Sequence, residues 1–324
     1  MGFMDLSGST ILLTGGTGSF GNAFVDRVLS ELSDVTIRIY SRDELKQSEM
    51  RERLGDDRLR YLIGDVRDGD RLLRAAQGAD VIVHAAAMKQ VPACEYNPFE
   101  AVQTNVIGAQ NVVDAAINAG VARVVALSTD KAVNPVNLYG ATKLCAEKII
   151  VQGNSYAAQS GAVLSCVRYG NVMGSRGSVV PLFRKQIQEG LLTITDERMT
   201  RFWITLRQAV DLVMFSLDHA GGGEVFIPKI PSMRVVDLAE AMAPGMERKF
   251  IGIRPGEKLH EVLLTADESR HAVDAGDVYV VFPEHPWWEH GAWLTGEPLD
   301  HDFSYSSDNN DWWLTADELS SLLP

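Results

Sequence analysis

The chain alternates short apolar runs with longer segments whose apolar positions recur at helical spacing. The runs are Thr10–Thr14, Val35–Tyr40, Arg60–Ile63, Ala79–His84, Ala122–Leu127 and Ala162–Arg168. Each is bounded by glycine, polar or charged residues and reads as a buried strand, since strands covered on both faces appear as apolar runs. Asn22–Leu32, Pro98–Gly120 and a segment continuing through Ala146-Glu-Lys-Ile-Ile150 carry the helical period. Strand and helix in turn predict an α/β fold with a doubly wound parallel sheet. Beyond Tyr169 the alternation loosens. A helix is expected over Val180–Glu189, a strand over Gly223–Ile227 and a helix over Val235–Ala243, with polar cationic turns at Arg201-Phe-Trp-Ile-Thr205 and Arg254-Pro-Gly-Glu-Lys258. The expected division is a cofactor-binding domain over residues 1–170 and a smaller C-terminal α/β region, 171–324, mostly for substrate, with some segments returning to the first domain.

The first strand runs into Gly15-Gly-Thr17-Gly18-Ser19-Phe20-Gly21 and then a helix. Strand, glycine turn and helix form the Rossmann-type dinucleotide site: the glycines permit a tight turn, close approach of a pyrophosphate and close helix packing. The spacing is Gly-x-x-Gly-x-x-Gly rather than the commoner Gly-x-Gly-x-x-Gly. After the second strand come Ser41, Arg42, Asp43, Glu44, Leu45 and Lys46. A planar guanidinium suits a ribose 2′-phosphate, so NADP is expected over NAD, with Asp43 and Glu44 also readable as a charged helix start. Asp65 and Val66 follow the third strand, and Asp65 could contact an adenine edge or cap the next helix. Ala85, Ala86 and Ala87 follow the fourth, where small side chains let a ligand approach the backbone.

Tyr139-Gly-Ala-Thr-Lys143 places a phenol and an ammonium one helical turn apart, on one face. An ammonium there is expected to lower the tyrosine pKa from about 10 and fit it for proton transfer. Ahead of it, Leu127, Ser128, Thr129, Asp130 and Lys131 close the fifth strand, at the carboxyl edge where open α/β sheets bind ligands. A Tyr-x-x-x-Lys pair alone is usually a surface helix feature. The glycine turn and the polar tip change that reading.

Composition narrows the picture. The 324 residues are 46% hydrophobic and 23% charged, ordinary for a globular protein. A net charge of −13 argues against nucleic-acid binding but not against an anionic small ligand held by local arginines and helix starts. Cys94, Cys145 and Cys166 suit neither a disulfide framework nor a zinc site, and no metal is expected. The sequence carries no leader pattern and no apolar run long enough for a membrane span, so a cytoplasmic protein is expected. Trp287, Trp288, Trp293, Trp312 and Trp313 read as packing or subunit contacts.

A set of longer motifs goes further. Ser41–Met50, Ser128–Ala132, Asn137–Cys145, Arg168–Val172, Gly174–Pro181, Met199–Thr205, Ile230–Met233 and Ile253–Glu261 together resemble the inverting UDP-N-acetylglucosamine 4,6-dehydratases of the PseB type, within the extended short-chain dehydrogenase/reductases. The resemblance spans nearly the whole chain. One departure is Met88-Lys89-Gln90-Val-Pro, where the family often has histidine in place of Gln90. The resemblance implies dehydration of UDP-N-acetylglucosamine with inversion at C5, by hydride transfer from C4 to C6. Thr129, Asp130, Lys131, Tyr139 and Lys143 would be catalytic. Lys131 would be the C5 base and would have to be neutral, a state that burial, Lys143 and the nicotinamide charge would favour. Retaining sugar-nucleotide dehydratases have glutamate at that position. The resemblance also implies substrate contacts at Lys89, Asn171, Ser175, Arg176, Gly177, Ser178, Val179, Val180, Thr200, Arg254 and Glu257. It further implies a homo-oligomer, dimer or hexamer, and a product bound for pseudaminic acid. The alternatives are a nucleotide-sugar epimerase on the same fold and a non-catalytic NADP-sensing regulator.

Overall fold

The computed structural model describes residues 6–174, 179–284 and 296–323. Six parallel strands occupy the six apolar runs: β1 (Ser9–Thr14), β2 (Val35–Ser41), β3 (Leu59–Ile63), β4 (Val81–His84), β5 (Arg123–Leu127) and β6 (Val163–Val167). Their order across the sheet is β3-β2-β1-β4-β5-β6, so the chain reverses direction between β1 and β4. That reversal opens the crevice in which doubly wound folds bind ligands. The register sets Thr14 beside His84 and His84 beside Ala126, which brings the polar strand ends to one level.

The sheet does not stop at β6. Val225–Pro228 pairs with it in parallel, and Val278–Val281, Ala272–Asp274 and Glu297–Pro298 then add antiparallel strands. These pieces are two to four residues long, too short to show a period of their own. The larger apolar core accordingly takes in residues from Leu6 to Tyr305. A second core joins Val180, Phe183, Trp203, Met233, Leu238 and Leu319. The segment expected as a cationic turn at Arg201 is a strand, Thr200–Ile204, buried along its whole length between Ser232–Arg234 and Asn171–Val172. Phe202, Trp203 and Ile204 decide its place, and Arg201 goes inside with them.

The expected helix over Pro98–Gly120 is interrupted. Pro98–Val102 and Gly108–Ala119 are joined by a π turn, Gln103–Ile107. Such turns recur at functional sites because they re-aim one side chain. Here it is Asn105, whose Oδ1 accepts from the Met88 N–H at 2.8 Å. Its Nδ2 donates to the Met88 carbonyl and to Thr142 Oγ1, both at 2.9 Å. The loop after β4 is thereby tied to the helix Leu138–Ala157.

Candidate active site

Above the carboxyl ends of the strands lies a cleft of about 740 Å³. Its first half is built by β1, the glycine turn and the helix Ser19–Glu31. Gly15 has φ +67°, and a Cβ there would sit 2.8 Å from the Ala85 carbonyl carbon, so only glycine fits the turn against the loop after β4. The helix start has no side-chain cap and no acidic residue in its first turn, which leaves its N–H groups and positive dipole end for an anion. Thr17, Gly18, Ser19, Phe20 and Gly21 line the cleft, with Ser41, Arg42, Asp43, Lys46, Asp65, Val66, Ala85, Ala86 and Ala87. Glu44 and Leu45 do not, and Leu45 is 65% exposed. Asp43 caps the following helix through the Lys46 N–H and pairs with the Lys46 ammonium, which holds its carboxyl below the usual range. Asp65 is gripped by Arg67 at 2.7 Å, with Arg42 Nη1 at 3.6 Å. The next helix is capped by Asp68, not Asp65.

The second half holds the proton-transfer groups. Leu127, Ser128, Thr129, Lys131, Tyr139 and Lys143 line it, with Lys89 and Asn171. Asn137 caps the helix by accepting from the Gly140 N–H at 2.8 Å, which fixes where Tyr139 starts. Gly140 is required there: a Cβ would stand 2.1 Å from the Lys131 carbonyl oxygen, so the Lys131 turn is seated directly on the tyrosine helix. Asp130 lies beneath, fully buried. Its Oδ1 accepts from Thr129 Oγ1 at 2.8 Å and Lys131 Nζ at 3.1 Å, while its Oδ2 has no hydrogen-bond partner.

Two expectations about charge are overturned. Burial raises the Tyr139 pKa to about 12, against the smaller opposing pull of Lys131 and a hydrogen bond with Thr129. Lys143 does not lower it, because its ammonium donates to the Leu127 carbonyl at 2.6 Å. Lys131 is not made neutral by its surroundings. Burial, the largest single influence, lowers its pKa, but the carboxylates of Asp130 and Glu261 outweigh it and raise the net value. Glu261 Oε1 lies 3.3 Å from Nζ.

Other expected contacts lie elsewhere. Thr200 is buried and does not line the cleft; its hydroxyl is shared between His260 Nδ1 at 2.8 Å and Ser307 Oγ at 2.7 Å. Val180 is buried in the second core and Val179 packs beside it. Arg254 and Glu257, 3.8 Å apart, lie outside the cleft lining. Ser175, Arg176, Gly177, Ser178, Trp287, Trp288 and Trp293 fall outside the described residues. The cleft also takes in Tyr40, Gly64, Gln90, Thr104, Tyr169, Gly170, Val172 and Leu206. Several of these immediately follow a strand, and strand ends are the pattern that could have found them. His84, fully buried and bonded to Thr14 Oγ1 at 2.7 Å, is a packing histidine.

A parallel sheet with a glycine turn at its crossover and a Tyr-x-x-x-Lys helix beside it is the fold of the short-chain dehydrogenase/reductases. A family profile described as polysaccharide biosynthesis protein matches residues 11–283. The chain belongs to this family of extended short-chain dehydrogenase/reductases. It is 48% identical to a UDP-N-acetylglucosamine 4,6-dehydratase (inverting) of Campylobacter jejuni, over 98% of each chain. It is also 48% identical to a UDP-glucose 4-epimerase of Rickettsia felis, over 83% of this chain and 82% of that one. Among solved structures, Pen from Bacillus thuringiensis superposes with a TM-score of 0.90 at 41% identity, over 98% of each chain.

Proposed function

We propose that the chain is a hydro-lyase that removes water from UDP-N-acetylglucosamine across C5 and C6 and inverts C5, giving UDP-2-acetamido-2,6-dideoxy-β-L-arabino-hex-4-ulose. The observation that carries this is the ion pair of buried Asp130 with Lys131, which lines the cleft beside Tyr139, with one carboxylate oxygen unpartnered. The Campylobacter relative, similar over nearly its full length, supports the substrate.

The cleft fits a nicotinamide dinucleotide: the space Gly15 leaves, the uncapped helix start and the small residues after β4 all border it. Arg42 and Lys46 beside Ser41 favour NADP over NAD. Bound there, the cofactor supplies the acceptor for the C4 hydride and its return to C6. Tyr139, in its anionic form, takes the proton from the 4-hydroxyl, and Thr129 hydrogen-bonds the same oxygen. The 4-ketone makes the C5 proton acidic. Lys131 removes that proton, Asp130 protonates the departing 6-hydroxyl as water, and C5 is reprotonated from the opposite face. For this, Lys131 must be neutral and Asp130 must carry a proton. One proton moved from Nζ to Oδ1 along their 3.1 Å contact meets both needs at once. Lys89 and Asn171 line the cleft and would contact the sugar and diphosphate. Arg254 and Glu257 would reach the uridine from outside the cleft.

A second reading is a UDP-sugar 4-epimerase, favoured by the Rickettsia relative. An epimerase returns the hydride to C4 and has no leaving hydroxyl to protonate, so it has no use for the Asp130–Lys131 pair. A proton NMR time course with UDP-N-acetylglucosamine in deuterated water, without added cofactor, separates the two. A C6 methyl signal with deuterium at C5 and L-arabino couplings is expected. Scrambling at C4 with the hydroxymethyl retained would establish the epimerase. Self-association as a dimer or hexamer is part of the same reading, with Tyr96, Phe99 and Ile107 as exposed apolar positions available for it. Pseudaminic acid as the destination rests on the resemblance alone.

A further inference from the structure

Glu261 belongs to none of the roles assigned above, yet it is the group nearest the proposed base outside its own turn. Its side chain is 3% exposed. Its backbone is clamped at two points, with its N–H donating to Ser307 Oγ at 2.9 Å and its carbonyl accepting from the Ser307 N–H at 2.8 Å. Ser307 is itself held by Thr200. The carboxylate is therefore aimed, not tethered loosely. Oε1 faces Lys131 Nζ at 3.3 Å and Arg201 Nε at 3.7 Å. Oε2 has no hydrogen-bond partner and lies 4.0 Å from Lys258 Nζ.

A buried carboxylate kept only for packing stability would have both oxygens satisfied, because an unpaired one loses its hydration with nothing in return. An oxygen left without a hydrogen bond, on a carboxylate whose other oxygen faces Lys131, suits a group whose partner changes state. We propose that Glu261 is a positioning residue for Lys131, holding Nζ in line with Asp130 and stabilising the proton that Nζ collects from C5. This rests on the reading of Lys131 as the C5 base. The charged and titratable groups facing Lys131 are Asp130 on its own turn, Tyr139 on the helix Leu138–Ala157, Arg201 on the strand Thr200–Ile204, and Lys258 and Glu261 on the segment before Val262. Two carboxylates outweigh the cations at Nζ. Arg201 Nε and Lys258 Nζ face the same carboxylate and temper its pull on Lys131.

The pairing can be tested without substrate. The acetylation rate of Lys131 by acetic anhydride at about pH 9 follows its neutral fraction, and peptide mass spectrometry reads it against the exposed Lys185. Replacing a facing carboxylate by its amide lowers such a pKa by about one unit, so Glu261→Gln should raise the rate about tenfold. Glu261→Asp should return it toward the wild-type value. Lys258→Met should move it the other way and covers the case in which the Gln variant does not fold. The catalytic half is read by C5 deuterium exchange into the 4-keto product, which needs no hydride step. Glu261→Gln should slow it at least tenfold, with Glu261→Asp recovering part of the loss. An unchanged Lys131 reactivity in both Glu261→Gln and Lys258→Met overturns the inference, and so does slowed exchange with reactivity unmoved. If the wild-type protein exchanges nothing at C5, the dehydratase reading fails, while the labelling result still decides the pairing.

Discussion

Two buried ionic clusters lie on either side of Thr129, and they are finished differently. Behind the sheet edge, Arg168 spends all its donor groups. It binds Glu147 at 2.5 and 3.2 Å, Glu268 at 2.9 and 3.1 Å, and the Leu263 carbonyl at 2.8 Å. Glu147 also accepts from Ser128 Oγ at 2.6 Å, and Glu268 from the Thr265 N–H at 3.1 Å. Around Lys131, which lines the cleft, the cluster of Asp130, Glu261, Lys258 and Arg201 leaves Asp130 Oδ2 and Glu261 Oε2 without hydrogen bonds. The first cluster fixes where β6, the helix Leu138–Ala157 and the C-terminal segment meet. The second holds charge in reserve for a proton that has yet to move. Saturation marks structure, and incompleteness marks chemistry.

The contrast can be broken at its strongest point first. Arg168→Met leaves two carboxylates buried without their cation, and a loss of about 3–5 kcal/mol is expected in denaturant unfolding. A loss under about 1 kcal/mol would mean that the saturated cluster is not structural. Lys131→Ala should act mainly on chemistry, cutting C5 exchange by about 10²–10⁴-fold, with a stability loss smaller than that of Arg168→Met because Lys131 is 26% exposed and Arg201 and Lys258 still face Glu261. Glu147→Gln keeps the shape but mismatches one donor, for an expected cost of about 1–3 kcal/mol.

The clusters should also part company with pH. Burial pushes the Glu268 carboxyl up, but Arg168 and the Thr265 hydrogen bonds outweigh it and hold the folded value below the ordinary one. Its contribution is therefore present above the unfolded value of about 4.3 and lost as pH falls through the folded value. Lys131, whose folded value is raised, contributes fully below about 10.4 and loses that contribution as pH rises through the folded value. Acid unfolding of Arg168→Met and alkaline unfolding of Lys131→Ala should each lose the corresponding limb. The mildest change is Arg42→Ala, at a 60% exposed side chain. Stability should stay within about 0.5 kcal/mol, while NADP binding weakens about tenfold relative to NAD in titration calorimetry.

Much of this was legible in the chain. The six parallel strands announce themselves because strands covered on both faces are mostly apolar, and the glycine turn because Gly15 admits no side chain. The antiparallel extension past Val225–Pro228 was hidden, since strands of two to four residues draw their stability from partners distant in sequence. Thr200–Ile204 was misread because two flanking polar residues masked a buried core. Tyr139 and Lys143 were correctly placed on one helix, but spacing does not say where an ammonium points, and Leu127 captures it. Glu261 closed the motif Ile253–Glu261 but was given no role there, because after Arg254-Pro-Gly-Glu-Lys258 one more acidic residue looks solvated until Ser307 folds over it.

Gly140 carries a consequence for how this cleft can evolve. Because the Lys131 carbonyl occupies the place of a side chain at Gly140, Tyr139 and Lys131, the proposed bases for the 4-hydroxyl and for C5, share one rigid seat. Neither can drift without dragging the other, so a lineage cannot retune the first half-reaction while leaving the second untouched. On the proposed function, new sugar preferences would arise instead around Lys89, Gln90 and Asn171, which line the cleft outside that seat.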